Sequence, residues 1–268
     1  MKLPDDMFRQ ELLQYLIVDD LVNLDNACMN RKYRPHLLDK ISGVILIGDT
    51  DESMIVSLFK WLGMRRIYLI KMLIMFSDFH LALSIMQKDY VDQFRYTQHV
   101  IMRLYINDDM AVFILSRCPV LLSIDILASV DHYSSSPQLT DITLLSIAGH
   151  CTGLQSISLS NCRQITDTGL KMVSENCTSL QNLNIVSCNQ ITDASIISIS
   201  IHCTGLQSLN LERCHHITDA SIISISNNSF LLQSLRCRHC DGINKRFCLF
   251  YSRTLSELRT ALSYSSIP

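Results

Sequence analysis

The chain has 268 residues and a formal net charge of −2, from 23 basic and 25 acidic side chains. That balance gives no electrostatic case for nucleic acid or an anionic membrane surface, so a protein is the expected class of partner. The opening MKLPDDMFRQ lacks the basic-then-apolar pattern of a secretion leader, and the most apolar stretch, Ile67 to Phe76, is short and broken by Lys71, so no membrane span is expected and the implied compartment is the cytoplasm, with or without the nucleus.

Residues 1–40 differ from everything after them. Leu3-Pro4 opens the segment, Met7, Phe8, Leu12, Leu13 and Leu16 recur at helical spacing, and Asp19-Asp20 starts a second helix carrying Leu21, Leu24 and Cys28. The spacing predicts a module of about three helices, too small to bury all its apolar faces alone.

From residue 41 onward another spacing takes over. Ile41, Val44 and Leu46 fit an apolar L-x-x-L-x-L pattern, followed by an apolar helical stretch from Ser53 to Leu62. Met64, Ile67 and Leu69 fit it again, with Phe76-Ser77-Asp78 as the following turn, and a weaker strand spans Val100 to Met102 before Ile106-Asn107-Asp108. Cys118, Leu121, Ile124 and Ile126 repeat the pattern, and Leu139-Thr140-Asp141 resumes it after a polar insertion around Ser129 to Pro137.

The pattern is clearest between residues 151 and 228, where one unit is written three times with a 26-residue period, starting at Cys151, Cys177 and Cys203. In the first copy Leu154, Ile157 and Leu159 place Ile157 and Leu159 on the inner face of a short strand. Cys162 and Ile165 turn the chain under that strand. Thr166 caps a helix, Asp167 sits in its first turn where the macrodipole favours negative charge, and Leu170 and Val173 face inward. Gly153, Gly169 and Gly205 read as turn positions. The fourth copy keeps Leu232, Leu235 and Cys240, but Ile243-Asn244-Lys245 replaces Ile-Thr-Asp, and residues 255–268 read as a cap or tail. The inward strand residue recurs at Leu46, Leu69, Met102, Ile126, Leu159, Ile185, Leu211 and Cys237, which predicts eight strands.

Two resemblances rest on these residues. Leu3-Pro4, Leu12-Leu13-Gln14-Tyr15-Leu16, Asp20-Leu21, Leu24 and Cys28 resemble an F-box, the segment that docks on the Skp-family adaptor of cullin-based SCF ubiquitin ligases. After residue 40 the chain is similar to the cysteine-containing class of leucine-rich repeats. The fold expected is therefore α/β: an F-box-like module over 1–40, then a leucine-rich-repeat solenoid over 41–254, a right-handed β-α superhelix of about eight repeats with parallel strands on its concave face. The resemblance implies adaptor contacts at Leu3, Pro4, Met7, Phe8, Leu12, Leu13, Leu16, Leu21 and Leu24. It implies a monomer within a hetero-complex that holds a protein substrate, with no cofactor and no chemistry of its own. Two departures, an extra residue in the first helix and Tyr33 where the family carries tryptophan, leave a second reading open: an interaction scaffold whose helical module only caps the solenoid.

Nine of the eleven cysteines fall in or beside the repeat frame, which fits two ladders of buried thiols better than disulfides. Cys237-Arg238-His239-Cys240, with His215, His216 and Cys248, has the look of a zinc knuckle. Because Cys237 and Cys240 occupy the slots of Leu211 and Cys214, no metal is expected. No Gly-x-Ser-x-Gly, Walker or His-Glu-x-x-His motif appears, so no enzyme is expected either.

The residues left for function flank the inward strand pairs: Arg66 and Tyr68, Ser156 and Ser158, Asn182 and Asn184, Ser208 with Asn210 and Glu212, and Ser234 and Arg236. Eight strands at ~4.8 Å spacing and ~17 Å length make a face of roughly 650 Å². That approaches the ~800 Å² per partner of a standard protein interface.

Overall fold

A computed structural model describes residues 45–47, 71–76, 91–104, 107–128 and 139–244. The helical module over 1–40, the helical stretch from Ser53 to Leu62, the insertion around Ser129 to Pro137 and the segment 255–268 lie outside the described residues.

Among the described residues eight strands follow in chain order: β1 (Ile45–Ile47), β2 (Lys71–Phe76), β3 (His99–Leu104), β4 (Ser123–Ala128), β5 (Ser156–Ser160), β6 (Asn182–Asn184), β7 (Ser208–Asn210) and β8 (Ser234–Arg236). They form one parallel sheet in which each strand pairs only with its sequence neighbours. Among the described residues five α-helices alternate with the later strands: α1 (Asp108–Leu115), α2 (Asp141–His150), α3 (Asp167–Asn176), α4 (Asp193–His202) and α5 (Asp219–Asn228). The result is a leucine-rich-repeat solenoid, strands on the concave side and helices behind them.

The core runs the length of the array because every repeat contributes the same slots. Ile157 and Leu159, Leu183 and Ile185, and Leu209 and Leu211 are buried one after another, with Leu170 and Val173, Ile196 and Ile199, and Ile222 and Ile225 behind them on the helices. The nine frame cysteines are free and buried; eight of them form the two ladders the spacing predicts, and Cys237 fills the inward strand slot of Leu211. Cys177 Sγ donates to the Cys151 carbonyl at 3.4 Å, and Cys203 Sγ to the Cys177 carbonyl at 3.7 Å. In the other ladder Cys188, Cys214 and Cys240 donate to the Leu159, Ile185 and Leu211 carbonyls at 3.1, 3.1 and 3.0 Å. Cys177 and Cys203 thus bond the carbonyl at the helix C-cap of the preceding repeat, and Cys188, Cys214 and Cys240 a carbonyl at the end of its strand.

A third ladder ties the helix starts. Thr140, Thr166, Thr192 and Thr218 cap α2 to α5, each hydroxyl accepting the N–H two residues on. The same hydroxyls donate backwards: Thr166 and Thr192 each reach the aspartate of the previous helix, Asp141 and Asp167, at 2.6 Å. The backbone N–H of each threonine bonds the other oxygen of that carboxylate, at 2.8 and 2.9 Å. The last rung is weaker. Asn244 follows where threonine would stand and offers Asp219 only its backbone N–H, at 2.8 Å.

Three expectations are corrected. The second strand of the sheet, expected to carry Leu69, is Lys71–Phe76, and Phe76 pairs with Leu104 inside the sheet instead of opening a turn. In β1 the slot of Leu159 falls to Ile47, paired with Ile74, while Leu46 pairs with Leu73 and stands in the row of Ser158. Both slips have one cause: these strands lie in apolar runs, Val44 to Ile47 and Met72 to Phe76, without the polar alternation that marks a face, and only pairing with the next strand sets the register. Gly169 is the third correction. It lies in the first turn of α3, where a Cβ would come within 2.5 Å of Asp141 Oδ1 and 2.8 Å of Leu144 Cδ1, so close helix packing accounts for it. Gly153 and Gly205 do sit in turns.

Candidate functional site

Strand alternation fixes what the concave face can present. With Ile157, Leu183 and Leu209 turned into the core, the residues on either side of each point outward. Register aligns them in rows that cross the strands. The first row is Ser123, Ser156, Asn182, Ser208 and Ser234, and the second is Asp125, Ser158, Asn184, Asn210 and Arg236. Glu212 lies just past the end of β7 and is half-buried. Arg66 and Tyr68 lie outside the described residues, as do all nine positions expected to contact the adaptor.

From β5 to β8 the two rows line a shallow hollow of about 270 Å³, bounded by Ser156 and Ser158 at one end and by Ser234 and Arg236 at the other. The second row is partly bonded to itself. Asn184 Nδ2 donates to Ser158 Oγ at 3.1 Å and to Ser160 Oγ at 3.2 Å, and its Oδ1 accepts the Val186 N–H at 3.4 Å. Asn210 Oδ1 likewise accepts the N–H two residues on, that of Glu212, at 3.1 Å. These bonds hold the carboxamides in one rotamer and prepare the surface before any partner arrives. The floor is neutral, and Arg236 is the only charged side chain lining the hollow.

Sequence reasoning passed over Ser123 and Asp125, which extend both rows onto β4. The signal was present, since they flank the inward Ile124 and Ile126 as Ser156 and Ser158 flank Ile157.

The histidine-rich turns at the end of the array have a different character. His215 Nδ1 lies 2.8 Å from Asp241 Oδ2 on the exposed rim, whereas Cys237 and Cys240 are buried in the core. Burial separates the thiols from the imidazoles, and among the described residues no three His, Cys, Asp or Glu side chains converge to hold a metal ion. Among the described residues no helix is long and apolar enough to cross a membrane.

Comparison with known proteins agrees with this geometry. The leucine-rich repeat family matches three stretches, residues 150–174, 176–200 and 202–226, which are the three tandem copies. Three leucine-rich repeats are thus present in the chain. No curated protein matches the sequence. Among solved structures, the chain is similar to one in the yeast Rad7 and Elc1 complex, at 14% identity and a TM-score of 0.51, over 79% of this chain and 68% of that one. It also aligns with a chain in the Drosophila Toll–Spätzle complex, at 14% identity and a TM-score of 0.47, over 77% of this chain and 25% of that one. At such identities the likeness to Rad7–Elc1 is one of fold. A repeat solenoid with a preorganised polar concave face is a protein-interaction scaffold.

Proposed function

We propose that this protein is the non-enzymatic substrate-recognition subunit of an SCF-type ubiquitin ligase. Residues 1–40 dock on a Skp-family adaptor, and through it a cullin, while the concave face of the solenoid holds a protein substrate. Tethering brings substrate lysines near a ubiquitin-charged enzyme and raises their effective concentration.

The observation that carries the reading is the coupling, in one chain, of an F-box-like run (Leu3-Pro4, Leu12-Leu13, Leu16, Leu21, Leu24) to a repeat array with a prepared binding face. The solved chain of similar fold, in the Rad7 and Elc1 complex, likewise comes from an assembly of two proteins.

The test is affinity purification of the full chain with identification of co-eluting adaptor and cullin. Leu12→Asp with Leu13→Asp places two carboxylates on the apolar stripe assigned to the adaptor groove and should abolish co-purification, at several kcal/mol. The repeat array should keep its cooperative melt, since each repeat stacks on its own neighbours. Adaptor binding that survives the double change defeats the reading. Lost binding together with a collapsed melt makes the helical module a solenoid cap and leaves a scaffold without ligase association.

A further inference from the structure

The two rows of the concave face are chemically unequal. Ser158 and Asn184 are bonded to one another, and Asn210 to the Glu212 N–H within its own repeat. In the first row, Ser156, Asn182, Ser208 and Ser234 line the same hollow, and their side chains make no hydrogen bond to the protein among the described residues. Their donors and acceptors therefore meet solvent, at intervals of one strand spacing, along a line that runs from β5 to β8.

What such a line can recognise follows from its groups. A carboxamide presents a carbonyl and an N–H pair in the geometry of a peptide bond, and a serine hydroxyl both donates and accepts. A nucleic-acid strand calls for aromatic platforms and cations, and a phosphorylated or acidic segment for an arginine cluster. The hollow has no aromatic lining and carries no charge between β5 and β7. Three strand intervals of ~4.8 Å make about 14 Å, the length of four extended residues at ~3.4 Å each.

We propose that the first row is a reader of extended polypeptide main chain. A partner segment free of charged side chains lies across β5 to β8, its peptide N–H and C=O groups meeting Ser156, Asn182, Ser208 and Ser234, while Ser158, Asn184 and Asn210 keep the floor rigid. The proposal rests on the concave face being the binding surface and specifies the chemistry it binds.

The experiment is selection of phage-displayed random 12-residue peptides on the full chain, followed by binding of the synthesised winners. The winners should carry no shared charge, and raising salt from 50 to 300 mM should change their affinity less than twofold. Asn182→Ala with Ser208→Ala should weaken them at least tenfold at an unchanged melting temperature. N-methylation of the central peptide bonds should do the same, because it removes main-chain donors and leaves the side chains intact. Acidic, salt-sensitive winners indifferent to the double variant overturn the proposal, as does a library that yields none. A photo-crosslinker at position 182 distinguishes this failure from failure of the concave-face reading. Capture of a folded protein whose isolated segments do not bind keeps that reading and discards main-chain recognition.

Discussion

The Thr166 hydroxyl donates to Asp141 Oδ2 at 2.6 Å, across the boundary between two repeats. The same relation recurs down the array, so a residue that looks like a local helix cap is also an inter-repeat clamp. Asp193 accepts from the Thr218 N–H at 2.9 Å, from the Thr218 hydroxyl and from the Ser221 hydroxyl. Asp193→Ala strands these donors and should cost about 1–3 kcal/mol, read as a lower melting temperature. Asp219→Ala removes a single rung, to Asn244, and should cost clearly less.

The clamp carries a pH signature. Burial works against the charge on Asp167 and Asp193, but hydrogen bonds from Thr192 and Ser195, and from Ser221 and Thr218, outweigh it and hold both carboxyls below their ordinary value. A folded value below the unfolded one gives stabilisation that is complete above the ordinary carboxyl pKa, about 4, and is lost progressively as pH falls from there through the lower folded value. Melting temperature should therefore stay level from neutral pH to about 5 and then drop. Asp167→Asn with Asp193→Asn should lower the plateau and make the acid drop shallower. An equally steep drop in the double variant would assign the acid sensitivity to other carboxylates.

The thiols should be inert. Burial first, and neighbouring thiols second, push Cys151 and Cys203 up to about 12, and burial raises Cys188 well above the ordinary thiol value. Alkylation of the native protein at pH 8, mapped by peptide mass spectrometry, should leave the nine frame cysteines unmodified until the chain is denatured. Cys188→Arg forces a cation into the slot under the Leu159 carbonyl and should abolish the cooperative melt. A variant melting within a degree or two of the parent would contradict the inward placement of Cys188.

Gly169 marks a missing clamp. In the later repeats its position is Thr143, Ser195 or Ser221; the Thr143 and Ser221 hydroxyls donate to Asp108 and Asp193, while that of Ser195 donates to the Thr192 carbonyl at 3.3 Å. Gly169→Ser should supply the absent donor to Asp141 and relieve the helix penalty of glycine, with Asp141 and Leu144 shifting to the positions their counterparts occupy. Gly169→Ala brings the same crowding without the bond. The serine variant should exceed the alanine variant by about 1 kcal/mol in chemical denaturation, and the reverse order would deny the clamp its energetic role.

Because each repeat touches only its neighbours, deleting residues 178–203, one 26-residue period, should leave a folded chain in which Ser156 takes Ser208 as its strand partner in place of Asn182. Circular dichroism should show one cooperative transition at a lower temperature. Loss of all transition would mean that the deleted copy contains contacts no other repeat can replace.

The tandem copies were legible because three levels of their sequence agree. Alternation across Ile157 and Leu159, a Thr-Asp helix start and a closing cysteine all point to the same unit, so neither a strand at 156–160 nor a helix at 167–176 had a competing assignment. The outward residues Ser156, Asn182 and Ser208 followed at once, since period two leaves only one face for them. Residues 41–76 lacked that agreement, and β1 and β2 slipped accordingly. The tertiary structure decided what depends on a neighbour: the register of apolar strands, the bonding that makes Ser158 and Asn184 a floor while Asn182 stays open, and the αL backbone of Asn161, Ser187, Arg213 and His239, at φ near +60°. Four side chains of such different kinds share one conformation because each backbone stands at the same turn of the ladder, where Ser187 and Arg213 donate N–H to the Glu212 and Arg238 carbonyls of the next repeat. No local propensity specifies that turn for arginine or serine; stacking does.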